Sequence, residues 1–207
     1  CCCFQQLSAQ CDFVYGVNGS GDAFILNPVT GAWEDINPNG FTSFPGSKAN
    51  TVLANVAGNT NDDRMYYLDN SSGELCYLPL DDNTGYQSGN PFCITCVTGI
   101  CAPNICHPGG SGMAAVNMGG VDYLVMDDGS GNISFVDPVT GCVVQDMSIN
   151  FPAGYTFGGG DLQFDNNGNL YLVSIGGTPG LFLVDFSMSG TTPPDTADLI
   201  MLVDGTD

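Results

Sequence analysis

Basic residues are almost missing from this chain. Lys48 and Arg64 stand against 22 acidic residues, for a net charge of -20. Phosphate backbones are held by Lys and Arg that displace counterions, so a nucleic-acid partner is excluded, and docking on an anionic membrane is disfavoured for the same reason. Histidine is nearly absent too: His107 is the only one. A Ser/His/Asp or Cys/His nucleophile would have to be built around it, and the chain is expected not to be an enzyme. No apolar run approaches the roughly 18 residues that a bilayer-spanning helix needs, so no membrane insertion is expected. Glu34 and Glu74 are the only glutamates. The acidic side chains are thus nearly all Asp, which favours turns over helices. The chain does not begin with Met and is expected to be a processed product or part of something longer. A lipoprotein cysteine at Cys1 is a lesser alternative.

What is abundant points one way. Hydrophobic residues make up 43%, against 12% charged, a balance that builds a core and not a disordered tail. The 29 glycines and 12 prolines follow no collagen-like period and read as turn residues between short strands. Ten cysteines are present: Cys1, Cys2, Cys3, Cys11, Cys76, Cys93, Cys96, Cys101, Cys106 and Cys142. An even, dense set of this kind is expected to form disulfides in an oxidising compartment, which places the chain outside the cell, on a cell surface or on a virion surface. Spacing leaves the connectivity open. Three adjacent cysteines cannot all serve one local bridge, so one of them is available to bond a neighbouring subunit.

Internal repeats are visible by eye. Short apolar and aromatic runs at 14–17, 65–68, 123–126 and 170–173 each precede a polar turn and a second apolar run at 23–26, 75–78, 133–136 and 181–184. Two such runs joined by a Gly/Asn/Asp/Ser turn make a β-hairpin. A further turn follows, Asn27-Pro28-Val29-Thr30-Gly31 in the first repeat and Asp137-Pro138-Val139-Thr140-Gly141 in the third. Residues 81–85 and 187–190 fill its place in the others. Outer strands are clear at 32–36 and 142–147, and leading strands at 51–56, 113–116 and 161–164. The first repeat lacks a leading strand, while residues 198–204 form an extra one at the end.

Equivalent tyrosines (Tyr15, Tyr66, Tyr123, Tyr171) recur about every 50 residues, the size of a four-stranded propeller blade. The expected fold is therefore all-β and β-propeller-like. It is a single domain with repeats at about 12–46, 47–87, 113–150 and 157–192, a Cys-rich loop insert at 88–112 and a terminal strand at 196–207. A terminal strand that completes the first blade would close a ring and remove an exposed edge; pairing with a neighbouring subunit is the alternative.

The run Phe164-Asp165-Asn166-Asn167-Gly168-Asn169-Leu170-Tyr171-Leu172, together with the Pro-Val-Thr-Gly turns, resembles the β-propeller blade repeats of secreted and cell-surface bacterial proteins. The resemblance covers about two thirds of the chain and implies fold far more than function. The Cys-rich insert and the presence of only four repeats depart from it.

Candidate sites are few. Cys93, Cys96, Cys101, Cys106 and His107 read as a disulfide-knotted loop, with zinc and a variant of covalent haem attachment as weaker alternatives. Asn18, Asn70 and Asn132 open Asn-x-Ser sequons at or beside hairpin turns and are glycosylation candidates. Oxygen-rich turns could take Ca²⁺, with Asp127, Asp128 and Asp165 as weak candidates; no other cofactor is expected. Trp33 reads as a packing side chain, with sugar contact as the alternative. The expected role is an extracellular structural or adhesive protein, a subunit of a surface filament or virion appendage, that associates with itself, other surface proteins or glycans. A carbohydrate- or ligand-binding propeller module is the alternative, followed by a carboxylate-dependent hydrolase or lyase.

Overall fold

A computed structural model describes residues 13–17, 22–27, 29–41, 51–55, 63–69, 74–94, 112–128, 131–157, 160–165, 167–175, 177–186 and 192–205. Among them the chain is all-β, with no helix. It divides into two compact units, Cys1–Ile94 and Thr95–Asp207.

In the first unit, β1 (Val14–Val17), β2 (Ala23–Leu26) and β3 (Trp33–Asp35) form one antiparallel meander. A second comprises β4 (Thr51–Asn55), β5 (Asp63–Leu68), β6 (Leu75–Pro79) and β7 (Phe92–Ile94). One apolar cluster joins them: Ala23 and Ile36 pack with Met65, Tyr67, Cys76, Leu78 and Leu80. Polar bonds flank it. Tyr15 Oη donates to the Gly85 carbonyl at 2.9 Å, Tyr86 Oη donates to Glu34 Oε2, and Gln87 N donates to the Ile36 carbonyl at 2.8 Å. Burial, and then the Asp63 and Asp82 carboxylates, push the Tyr15 phenol well above its ordinary range, so it remains a donor.

The second unit is one eight-stranded sheet. Its first meander is β8 (Met113–Met118), β9 (Val121–Asp127), β10 (Asn132–Val136) and β11 (Val143–Asn150); its second is β12 (Gly160–Phe164), β13 (Leu170–Ser174), β14 (Gly180–Asp185) and β15 (Thr196–Asp204). The spatial order is β12-β13-β14-β15-β11-β10-β9-β8. A short parallel pairing of β11 with β15, from Ser148↔Thr196 to Asn150↔Asp198, joins the meanders. The sheet curls until its two ends approach: a Cβ added to Gly112, which leads into β8, would lie 3.1 Å from Asp161 Cα in β12. The result is a nearly closed, barrel-like sheet. Inward positions alternate along β11, β12 and β14, as a strand period of two requires. Their side chains fill a core that includes Phe135, Met147, Leu162, Leu172 and Phe182.

The shared turn has one physical solution wherever it is described. Asn27 Oδ1 accepts from Val29 N and Thr30 N, Asp81 Oδ1 from Asn83 N and Thr84 N, and Asp137 Oδ1 from Val139 N. In each, a glycine N–H four residues on returns to the Asx carbonyl, at 2.9, 2.7 and 2.8 Å. Gly31, Gly85 and Gly141 have φ of 69°, 73° and 69°. That left-handed geometry costs glycine nothing and strains other residues.

Two expectations are corrected. Residues 198–204 do not complete the first meander. As β15 they pair antiparallel with β14 from Asp185↔Asp198 to Gly180↔Asp204, because Ala197 and Leu199 bury in the core of the second unit. The segment 88–112 is not a structureless insert from its start. Phe92–Ile94 forms β7 against β6, where Phe92 packs on Tyr77 with ring centroids 5.5 Å apart. Cys76 is bonded to Cys93 across these strands, with Cα atoms 4.0 Å apart and a sequence separation of 17.

A bridge of this span restricts the unfolded chain by about 3 kcal/mol. Replacing both Cys76 and Cys93 by Ser is expected to lower the unfolding free energy by about that amount, read as a lower urea midpoint with an unchanged slope. An unchanged midpoint would show that β6 and β7 hold together without the bond.

Candidate functional site

The most exposed apolar surface of the second unit lies on β13, β14 and β15, and strand register builds it. Cross-strand partners share a face. Tyr171 pairs with Leu183, and Leu183 with Ile200. Val173 pairs with Leu181, and Leu181 with Val203. These are two parallel apolar rows on the outward face, since Leu172 and Phe182 point into the core. The pairing slips between Leu181↔Val203 and Phe182↔Met201, leaving Leu202 as an extra residue. Such a bulge changes which side chains share a face: it puts Ile200 and Val203 on the same side although they are three residues apart. Ile200 is 45% exposed and Val203 56%. Met201 and Leu202 are exposed as well, so four consecutive apolar residues meet solvent.

The same strand has an open edge. β11 covers β15 only from Thr196 to Asp198. From Leu199 onward, β15 has a strand partner on its β14 side only, among the described residues. Tyr155 is its near neighbour there: its hydroxyl donates to Met201 Sδ at 3.0 Å, and its ring stands edge-on to Phe182. An exposed apolar edge is a template for pairing with another chain.

The sequence-derived candidates are dispersed. Cys76, Cys93 and Cys142 are disulfide-bonded; Cys1, Cys2, Cys3, Cys11, Cys96, Cys101 and Cys106 lie outside the described residues, as does His107. Asn18 and Asn70 also lie outside them. Asn132 opens β10, half-buried, with Nδ2 donating to Asp128 Oδ2 at 2.7 Å. Ser134 of the same sequon is buried and donates to Asp146. Asp127 is buried at the end of β9. Asp128 and Asp165 turn back on their own loops: Asp128 accepts from Asn132 N, and Asp165 accepts from Asn167 N, Asn169 N and Asn169 Nδ2. Among the described residues no group of three or more His, Cys, Asp or Glu side chains is placed to hold a metal. Trp33 is half-exposed, and its ring lies against Gly16, where an added Cβ would sit 3.3 Å away.

No protein-family model matches the chain, and no curated protein is similar to it at a significant level. Among solved structures, it is similar to the β-propeller domain of Cps50 (Swd1) from Myceliophteria thermophila, at 11% identity and a TM-score of 0.43, over 88% of this chain and 67% of that one.

The Asn169 side chain, and then the backbone and side-chain bonds of its turn, hold the Asp165 carboxyl below the usual carboxylate range. A lowered folded-state value contributes stability above the unfolded pKa of about 4 and loses it as pH falls through the folded value. Carboxyl-carbon NMR should therefore show Asp165 titrating below the free aspartate value. Asn169→Ala should move that titration upward; an unmoved curve would assign the shift to the backbone donors alone.

Proposed function

We propose that the chain is an extracellular structural or adhesive protein that associates with further copies of itself through the outward face and free edge of β13–β15. We read its four successive meanders as blade repeats of the propeller type. The observation that carries the assembly reading is the apolar double row ending in Ile200 and Val203, continuous with the edge of β15 that is unpaired among the described residues. Contiguous exposed apolar surface on a soluble domain marks an interaction site.

Charge favours a second copy as the occupant. A chain with a net charge of -20 repels its own copies wherever carboxylates face each other. The rows of Tyr171, Leu183, Ile200, Val173, Leu181 and Val203 carry no charge, and the acids of β15 stand at Asp198 and Asp204, outside the apolar run. The cross-strand disulfide and the wealth of cysteine support an oxidising location. The scarcity of Lys and Arg supports exposure, since it denies trypsin-like proteases their cleavage sites.

Sedimentation or light scattering over a concentration series is expected to show reversible association of the purified chain. Ile200→Glu and Val203→Glu are each expected to weaken it about tenfold, the loss of about 1.4 kcal/mol of apolar contact. A wild-type chain that stays strictly monomeric at high concentration, or association insensitive to both substitutions, would overturn the reading.

A further inference from the structure

A cleft of about 460 Å³ opens at one end of the second unit, where the β8–β9 turn, the β12–β13 turn and the end of β14 converge. Its size lies in the range of small-ligand sites. Its floor is apolar and braced. Val116, Met118 and Phe186 pack against the core from partly exposed positions, and Phe186 stands edge-on to Phe135, which stands edge-on to Tyr123. Such a chain of rings holds the floor in one position before any ligand arrives.

Side-chain acceptors stand around this floor. Asn169 donates from Nδ2 to Asp165 at 2.8 Å, and its Oδ1 has no donor among the described residues. Asn117 is consumed in its own turn, with Nδ2 on Asp122 and Oδ1 on Gly120 N. Asp185 differs from both. It is exposed, and it sits directly opposite Asp198 in the β14–β15 ladder, a like-charge pairing that destabilises a sheet. Asp198 is compensated by Asn150 Nδ2 at 2.8 Å. Among the described residues Asp185 has no donor, so a ligand that donates to it would relieve the repulsion.

The chemistry narrows the ligand. The only lysine and arginine, Lys48 and Arg64, lie outside residues 95–207, so an anion finds no Lys or Arg partner in this unit. A bare metal ion would need several converging oxygens, and the described residues offer no group of three or more metal-binding side chains. A neutral molecule with several hydroxyl donors and an apolar C–H face matches both halves of the cleft. We propose that it binds a saccharide, whose ring lies on Phe186 and Met118 while hydroxyls donate to the Asp185 carboxylate and Asn169 Oδ1. This inference does not rest on self-association: Asp185 and Phe186 belong to neither apolar row, and Leu183 alone is shared between a row and the cleft lining.

The test is a screen of the intact chain against neutral gluco-, manno-, galacto- and chito-oligosaccharides, followed by amide NMR titration with the best binder. Shift changes are expected to cluster at Asn117–Gly119, Gly168–Asn169 and Leu183–Phe186. Asp185→Ala is expected to weaken binding at least tenfold, whereas Asp185→Asn, which keeps an acceptor, should lose less. The exposed substitution Val144→Thr should bind as the wild type does, and the amide spectrum of each variant reports whether it is folded. No binding to any of these sugars, shifts confined to another region, or full affinity in Asp185→Ala would overturn the proposal. Binding of methylammonium or Ca²⁺ at the cleft in place of sugars, abolished equally by Asp185→Ala and Asp185→Asn, would also overturn it.

Discussion

Three residue pairs join the two meanders of the second unit into one ladder. Ser148, Ile149 and Asn150 of β11 run parallel to Thr196, Ala197 and Asp198 of β15, and this seam turns two four-stranded meanders into one sheet. A parallel pairing so short is weak by its ladder alone, and side chains reinforce it on both sides. Asn150 Nδ2 reaches Asp198, Gln145 Nε2 reaches Asp195 at 2.7 Å, and Ser148 N donates to the Asp195 carbonyl. The seam brings Ile149 and Ala197 into the same cluster as Phe135 and Phe182. Without it each meander would expose its inward row, and burial could not offset the entropy of ordering the chain.

The seam also decides what is left uncovered. It ends at Asp198, so the remainder of β15 projects beyond the end of β11 with one paired side among the described residues. The bulge at Leu202 then rotates the alternation. Bulges often blunt an edge against pairing, but here the shift adds Val203 to a row that Val173 and Leu181 had begun. The exposed apolar rows therefore follow from one strand: β15 pairs with β14 along its length and with β11 only at its start.

Local chemistry was legible in advance. Asn27, Asp81 and Asp137, each followed four positions later by glycine, are self-contained turns whose hydrogen bonds need no distant partner. The hairpins they punctuate fell where the short apolar and aromatic runs put them. Partners that are distant in sequence were not legible. Cys76 had no neighbouring cysteine to suggest Cys93, because the bond forms across a ladder with Phe92 and Tyr77 as its other supports. The cleft was not legible either. Asn169 lies in a turn, Phe186 beside the core and Asp185 at the end of a strand, and only the tertiary structure brings them to one place.

The sequence by itself determined an all-β chain of short strands, with the chemistry of its turns and an acidic surface poor in cations. These depend on contacts within a few residues, where glycine, asparagine and aspartate have few alternatives. Tertiary structure alone decided the partner of the last strand, the faces left apolar and the end left concave. Any strand with alternating apolar residues can pair with several edges at similar cost. The choice of β14 and β11 for β15 rests on Ala197 and Leu199 finding a core that residues far away in the chain had built.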